Sequence, residues 1–133
     1  MIKFNYLNVN PKNRKTGDCS TRAIVGTLGI PYDEVLSLQC DEAIRTKYGI
    51  TNKEVVEGVL KKFGYIKMKQ PRKADGTKYQ VRELDKILTK EQMNEGVLVT
   101  VSNHHTCIKN GFIQDIWDCG KMCVGNYYIK EKE

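Results

Sequence analysis

An α+β domain is predicted, with helices packed in the first half and an antiparallel sheet built in the second. Three observations predict it. Amphipathic segments closed by Gly29 and Gly64 occupy the first half. The β-branched run Val97–Val101 follows Gly96 in the second half. Asn110-Gly111 then separates two further strand-like segments, the strongest short hairpin signal a sequence can carry.

Residues 18–28 run from a polar start to Gly29 and predict a first helix, capped by Asp18 or Thr16. Pro31 suits the first turn of a second helix, with Leu36, Cys40, Ala43 and Ile44 sharing one face. Thr51 to Glu54 forms a capping-box pattern that opens a third helix, with Val55, Val56, Val59, Leu60 and Phe63 directed inward. Residues 71–79 read as a loop, and Val81, Leu84, Ile87 and Leu88 as a short fourth helix. Strands are expected over 97–101, 104–109, 112–118 and 124–130. Helices first and then strands is an α+β order.

The 133 residues suffice for one core and not for two ordinary ones, so residues 1–133 read as a single domain. Apolar residues at 40% and charged residues at 29% are globular proportions. No run approaches the ~18 apolar residues of a membrane span, and the segment MIKFNYLNVNPKNRK lacks the apolar stretch of an export signal. Cytoplasmic residence without membrane attachment is therefore expected. Five cysteines, an odd number in such a context, are expected to be free thiols. Cys119 and Cys123, with His104 or His105, offer the only metal-like spacing, and no second ligand pair accompanies them, so no metal is expected.

The net charge of +6 is concentrated in residues 61–82, where Lys61, Lys62, Lys67, Lys69, Arg72, Lys73, Lys78 and Arg82 face Asp75 as the only acid. Such a patch could hold nucleic acid or an acidic partner. Only Tyr65 and Tyr79 interleave as stacking aromatics and no reading motif is present, so a solvated loop and helix face is the simpler account and nucleic acid is not expected.

The chemistry gathers at Cys19 and the hairpin. A thiol at the start of a helix meets unpaired N–H groups and the positive end of the dipole, which favour the thiolate, the nucleophilic form. A buried, inert cysteine is the plain alternative. Ala23 and Gly26 are small and would let this helix lie close to a sheet. If Asn110-Gly111 is a two-residue turn, Lys109 faces Phe112 and Ile108 faces Ile113. One face of the hairpin then carries His104, Thr106, Ile108, Ile113, Asp115 and Trp117. His104 and Asp115 become diagonal neighbours, and the carboxylate could orient the ring as the third member of a triad. That face is expected to look towards Cys19. His105, on the opposite face, has only Asp118 within reach. A one-residue slip would exchange the two faces. Asn13, six residues before Cys19, could donate to an oxyanion together with the Cys19 backbone N–H. It also fits a turn asparagine.

These residues resemble papain-like cysteine peptidases, in which a helix-start cysteine precedes a strand histidine and a polar orienter. Within that fold the chain is similar to a group of small uncharacterised bacterial and phage proteins. Their G-D-C-x-x-R-A motif matches Gly17-Asp18-Cys19-Ser20-Thr21-Arg22-Ala23. Their H-x-T…G…D-x-W-D pattern matches His104, Thr106, Gly111, Asp115, Trp117 and Asp118. Tyr32-Asp33-Glu34-Val35 fits the start of the group's second helix, and the Asp-Cys-Ser run also resembles the start of NlpC-type cell-wall peptidases. The tail departs, since Val124-Gly125-Asn126-Tyr127-Tyr128 lacks the group's Gly and Trp at their places, and Asn103 stands where the group has Gly.

The resemblance implies a papain-like domain with Cys19 as nucleophile, His104 as base and Asp115 as orienter. It would hydrolyse a peptide, isopeptide or other amide bond in a peptide or protein substrate, a host protein among the options, without a cofactor. Transfer to another amine or deamidation would use the same residues. The alternative is a catalytically idle scaffold whose basic 61–82 segment holds a host protein or nucleic acid.

Overall fold

The computed structural model describes residues 1–132. In chain order it contains β1 (Lys3–Tyr6), α1 (Cys19–Leu28), α2 (Tyr32–Thr46), α3 (Lys53–Lys61), β2 (Tyr65–Met68) and a 3-10 turn (Val81–Lys86). Then follow α4 (Lys90–Glu95), β3 (Val97–Val101), β4 (His104–Lys109), β5 (Phe112–Asp115) and β6 (Tyr127–Lys130). The strands form one six-stranded sheet in the order β1-β5-β4-β3-β6-β2. The architecture is α+β, but the sheet is mixed rather than antiparallel throughout, because β1 runs parallel to β5. Both edge strands precede the run of four strands from β3 to β6, so the sheet is not a purely C-terminal unit.

Alternation along β3 divides the molecule into two cores. Leu98 joins Ala23, Ile24, Val35, Val56, Val59, Leu60, Tyr65 and Tyr128 beneath α1, α2 and α3. Val97, Val99 and Val101 join Ile108, Ile113, Val81, Leu84, Leu88, Cys119 and Val124 on the other face. That second face is covered by the 3-10 turn and the segment before β6.

The hairpin forms in the expected register, with Lys109 opposite Phe112, Ile108 opposite Ile113 and Cys107 opposite Gln114. Asn110 at φ 54° and Gly111 at φ 81° are both left-handed, as a two-residue type I′ turn requires. β5 nevertheless stops at Asp115, not 118, where its carboxylate accepts from the following N–H of Ile116.

Gly29, left-handed at φ 71°, closes α1 as expected. α2 presents a different face from the apolar one: Val35, Gln39 and Glu42 are buried, while Cys40 and Ile44 are exposed. The rotation has a polar cause. Gln39 is fully buried and bonds the side chains of Thr21 and Ser20 and the carbonyl of Ile50. Glu42 is buried against Arg45 and Lys62. In α3 the cap is Asn52, whose side chain accepts from the Glu54 N–H, rather than Thr51. The 81–88 segment is a 3-10 turn rather than an α-helix, and it leaves Ile87 exposed.

α1 lies across β4 on the side of Cys107. A Cβ placed at Gly26 would stand 2.4 Å from the Cys107 sulfur, so only glycine permits this approach. Ile108 and Ile113 therefore point away from α1 into the second core, while His104 and Asp115 at the end of the same face stay beside Cys19, as expected. His104 escapes this constraint because it is the first residue of β4, at the end of the sheet.

Candidate active site

Cys19 occupies the first position of α1 and is half-buried. The first intrahelical bond runs from the Arg22 N–H to the Asp18 carbonyl, so the N–H groups of Cys19, Ser20 and Thr21 precede the helical ladder. Asp18 is at the cap position, yet its side chain makes no capping bond. Its carboxylate instead accepts from Asn10 and from the Tyr32 hydroxyl, each at 2.7 Å, and pairs with Arg22. This network ties the loop before the nucleophile to the first turns of α1 and α2. Asn10 and Tyr32 carried no sequence signal for this role, because their spacing to Asp18 becomes meaningful only once the loop has folded back.

His104 and Asp115 meet as the hairpin argument predicts, with His104 Nε2 2.6 Å from Asp115 Oδ2. Burial favours a neutral Asp115 carboxyl, but bonds from His104 and the Ile116 N–H outweigh it and hold the group below the usual carboxylate range. The carboxylate is thus ionised, Nε2 carries the donated proton, and Nδ1 is the nitrogen left for Cys19. Trp117 stands edge-on to the ring with centroids 5.0 Å apart.

The charges of this group are coupled. Hydrogen bonding to His104, and next to His105, lowers the Cys19 thiol to about 5 against the opposing effect of burial. For His104, burial disfavours the charged ring, but Asp115 and Cys19 together overcome it and raise the imidazole to about 9. Between these values the site is a thiolate–imidazolium pair with a buried carboxylate behind it.

In front of the pair opens a cleft of about 670 Å³, bordered by Gly17, Cys19, Thr51, Asn52, Lys53, Thr100, Val101, Asn103, His104, His105, Asn126 and Tyr128. Its polar groups are amides and hydroxyls, and Lys53 is its only charge besides Cys19 and the two histidines. Loop 49–52 and the β6 start thus supply a wall that no motif announced.

The structure does not bring Asn13 into this group. Asn13 is exposed in a turn at φ 55°, its amide oxygen accepts from Asn8, and it borders neither hollow beside Cys19. The left-handed turn is what an asparagine tolerates best among non-glycine residues.

Cys123 is exposed and Cys119 buried. Among the described residues one group has ligand-type side chains close together: His104, Asp115 and Cys119 lie within 4.8 Å of one another. Burial raises the Cys119 thiol to about 11, and the two other groups already bond each other. The arrangement works as an orienting hydrogen bond rather than as an open ligand set. No described helix is long and apolar enough to cross a membrane.

No protein-family model, curated protein sequence or solved structure matches this chain.

Proposed function

We propose that this protein is a papain-like cysteine hydrolase acting on a peptide, isopeptide or other amide bond. The observation that carries the reading is the ordered set Cys19, His104 and Asp115, with the thiol lowered to about 5 and the ring raised to about 9. A buried cysteine with no chemical task goes the other way, as Cys107 does, its thiol pushed up to about 12 by burial.

In this reading the Cys19 thiolate attacks the carbonyl carbon, and the C=O electron pair moves onto the oxygen. The Cys19 backbone N–H, free of the helical ladder, donates to that oxygen. Collapse of the adduct breaks the C–N bond, and His104 supplies the proton that the departing amine needs. Water, deprotonated by the now neutral His104, then releases the acyl group, the sulfur leaves as thiolate, and the thiolate–imidazolium pair is restored. Asp115 keeps Nδ1 aimed at the reacting atoms throughout.

The basic 61–82 segment gives the rival scaffold reading little support. Lys61 pairs with Glu57, Lys62 with Glu42 and Lys73 with Glu83, so several of its charges are answered within the chain.

Alkylation by iodoacetamide across pH, followed at Cys19 by mass spectrometry, tests the reading. Reaction at Cys19 should persist at about pH 6, where an ordinary thiol with a value near ~8.5 is almost wholly protonated. A rate that rises only through the ordinary thiol range would remove the hydrolase assignment. A panel of fluorogenic peptide amides would then identify the bond cleaved.

A further inference from the structure

We infer that His105 is the second oxyanion donor of this site, and this rests on the hydrolase reading above. A tetrahedral intermediate of acyl transfer carries a full charge on one oxygen, and a single backbone N–H rarely serves it alone. The Cys19 N–H is one donor. Asn13, the residue expected to supply the other, is turned into an exposed loop.

His105 stands where that donor is needed. It is adjacent in sequence to His104, so on β4 the two rings leave opposite faces of the strand. His104 turns to Asp115, and His105 lies on the α1 side, the side of Cys107 and Gly26. With His104 it lowers the Cys19 thiol. It borders the open cleft in front of Cys19 and also the small hollow behind it. The two histidines therefore flank the sulfur, and only His104 has a carboxylate partner to hold a proton-transfer tautomer. The ring of His105 makes no hydrogen bond to any other described side chain. An N–H next to the sulfur and bordering the cleft can follow the carbonyl oxygen as the S–C bond forms. It donates to the oxygen while the π pair becomes a lone pair, and no proton needs to be transferred.

Two reactions of Cys19 separate this role from any effect on the thiolate itself. Iodoacetamide alkylation displaces iodide at a saturated carbon and develops no oxyanion. Acylation by p-nitrophenyl acetate does develop one. Both are measured at about pH 8, well above the value to which Cys19 is lowered, for the wild type, His105→Ala, His105→Gln and Cys19→Ala. For His105→Ala we expect acylation to fall on the order of 10–10²-fold with alkylation nearly unchanged, since loss of one oxyanion donor costs up to about 10²–10³ in other enzymes. His105→Gln, which keeps an N–H donor, should recover part of the loss. Unchanged acylation, or equal losses in both reactions, would overturn the assignment. An unchanged melting temperature shows that the variant is folded. If wild-type acylation does not exceed that of Cys19→Ala, the hydrolase reading itself fails and takes this one with it.

Discussion

His104 and Asp115 are held 2.6 Å apart by a hairpin whose only connection is Asn110-Gly111. The two residues sit eleven positions apart, yet the turn fixes their register so tightly that their hydrogen bond depends on two left-handed φ angles. Asp115→Asn keeps the shape but removes the charge and permits the wrong tautomer of His104. The corresponding change in a serine-protease triad costs about 10⁴ in turnover. A cysteine nucleophile starts out more acidic, so the expected loss here is on the order of 10–10³. Asp118→Asn should cost far less, because Asp118 only accepts from the Gly120 N–H and an amide oxygen can do the same. Steady-state turnover of both variants on one amide substrate decides the comparison.

Trp117 is the chain's only tryptophan and stands against the His104 ring. Imidazolium quenches indole emission more strongly than neutral imidazole. Intrinsic fluorescence should therefore rise as His104 loses its proton, with a midpoint near about 9 rather than at the ordinary imidazole value. His104→Gln should abolish the transition. A midpoint in the ordinary imidazole range would show that Asp115 and Cys19 do not hold the ring charged.

Cys19→Ala should abolish turnover and leave the fold intact, since the residue opens a helix where alanine is the best former. The same variant removes one of the two partners that raise His104. Its fluorescence midpoint should accordingly move down while Asp115 still holds it above the ordinary value. Equal melting temperatures with a lowered midpoint are the expected pair of results.

Gly26→Ala sets two effects against each other. Alanine gains about 1 kcal/mol in helix propensity. Its Cβ, however, would stand 2.4 Å from the Cys107 sulfur, and overpacking of that kind typically costs about 1–3 kcal/mol. Net destabilisation is expected in the single variant. Combined with Cys107→Ala the clash disappears, so a double-mutant cycle by denaturant melts should show coupling of about 1–3 kcal/mol. Coupling near zero would mean that α1 does not rest on Cys107.

The sequence made the hairpin legible because Asn-Gly imposes its own geometry before any tertiary contact exists. Gly29 closed α1 for the same local reason. The α2 face was misread because Gln39 and Glu42, polar residues with buried partners, lie where an apolar pattern is sought. β1 and β2 are four residues each and mostly exposed, so neither carries alternation, and only their distant partners make them strands. Asp115 was found through register, whereas Asn13 was assigned from its proximity in sequence to Cys19. A loop between a strand and a helix preserves no such relation. Which face of β4 meets α1 depended on Gly26 against Cys107, a fit between shapes that periodicity does not encode.

β1 pairs in parallel with β5, Tyr6 lying opposite Asp115, and the Leu7 N–H continues the ladder to the Asp115 carbonyl. The strand that leads into the Cys19 loop is thereby zipped to the strand that carries Asp115. A ribosome delivers the first of these strands about a hundred residues before the second, at roughly 5–20 residues per second. Until β5 emerges, the nascent chain holds Cys19 without Asp115 and β1 without its pairing strand. Assembly of the Cys19, His104 and Asp115 group is thus postponed until synthesis is nearly done, and any truncated product ending before β5 lacks Asp115.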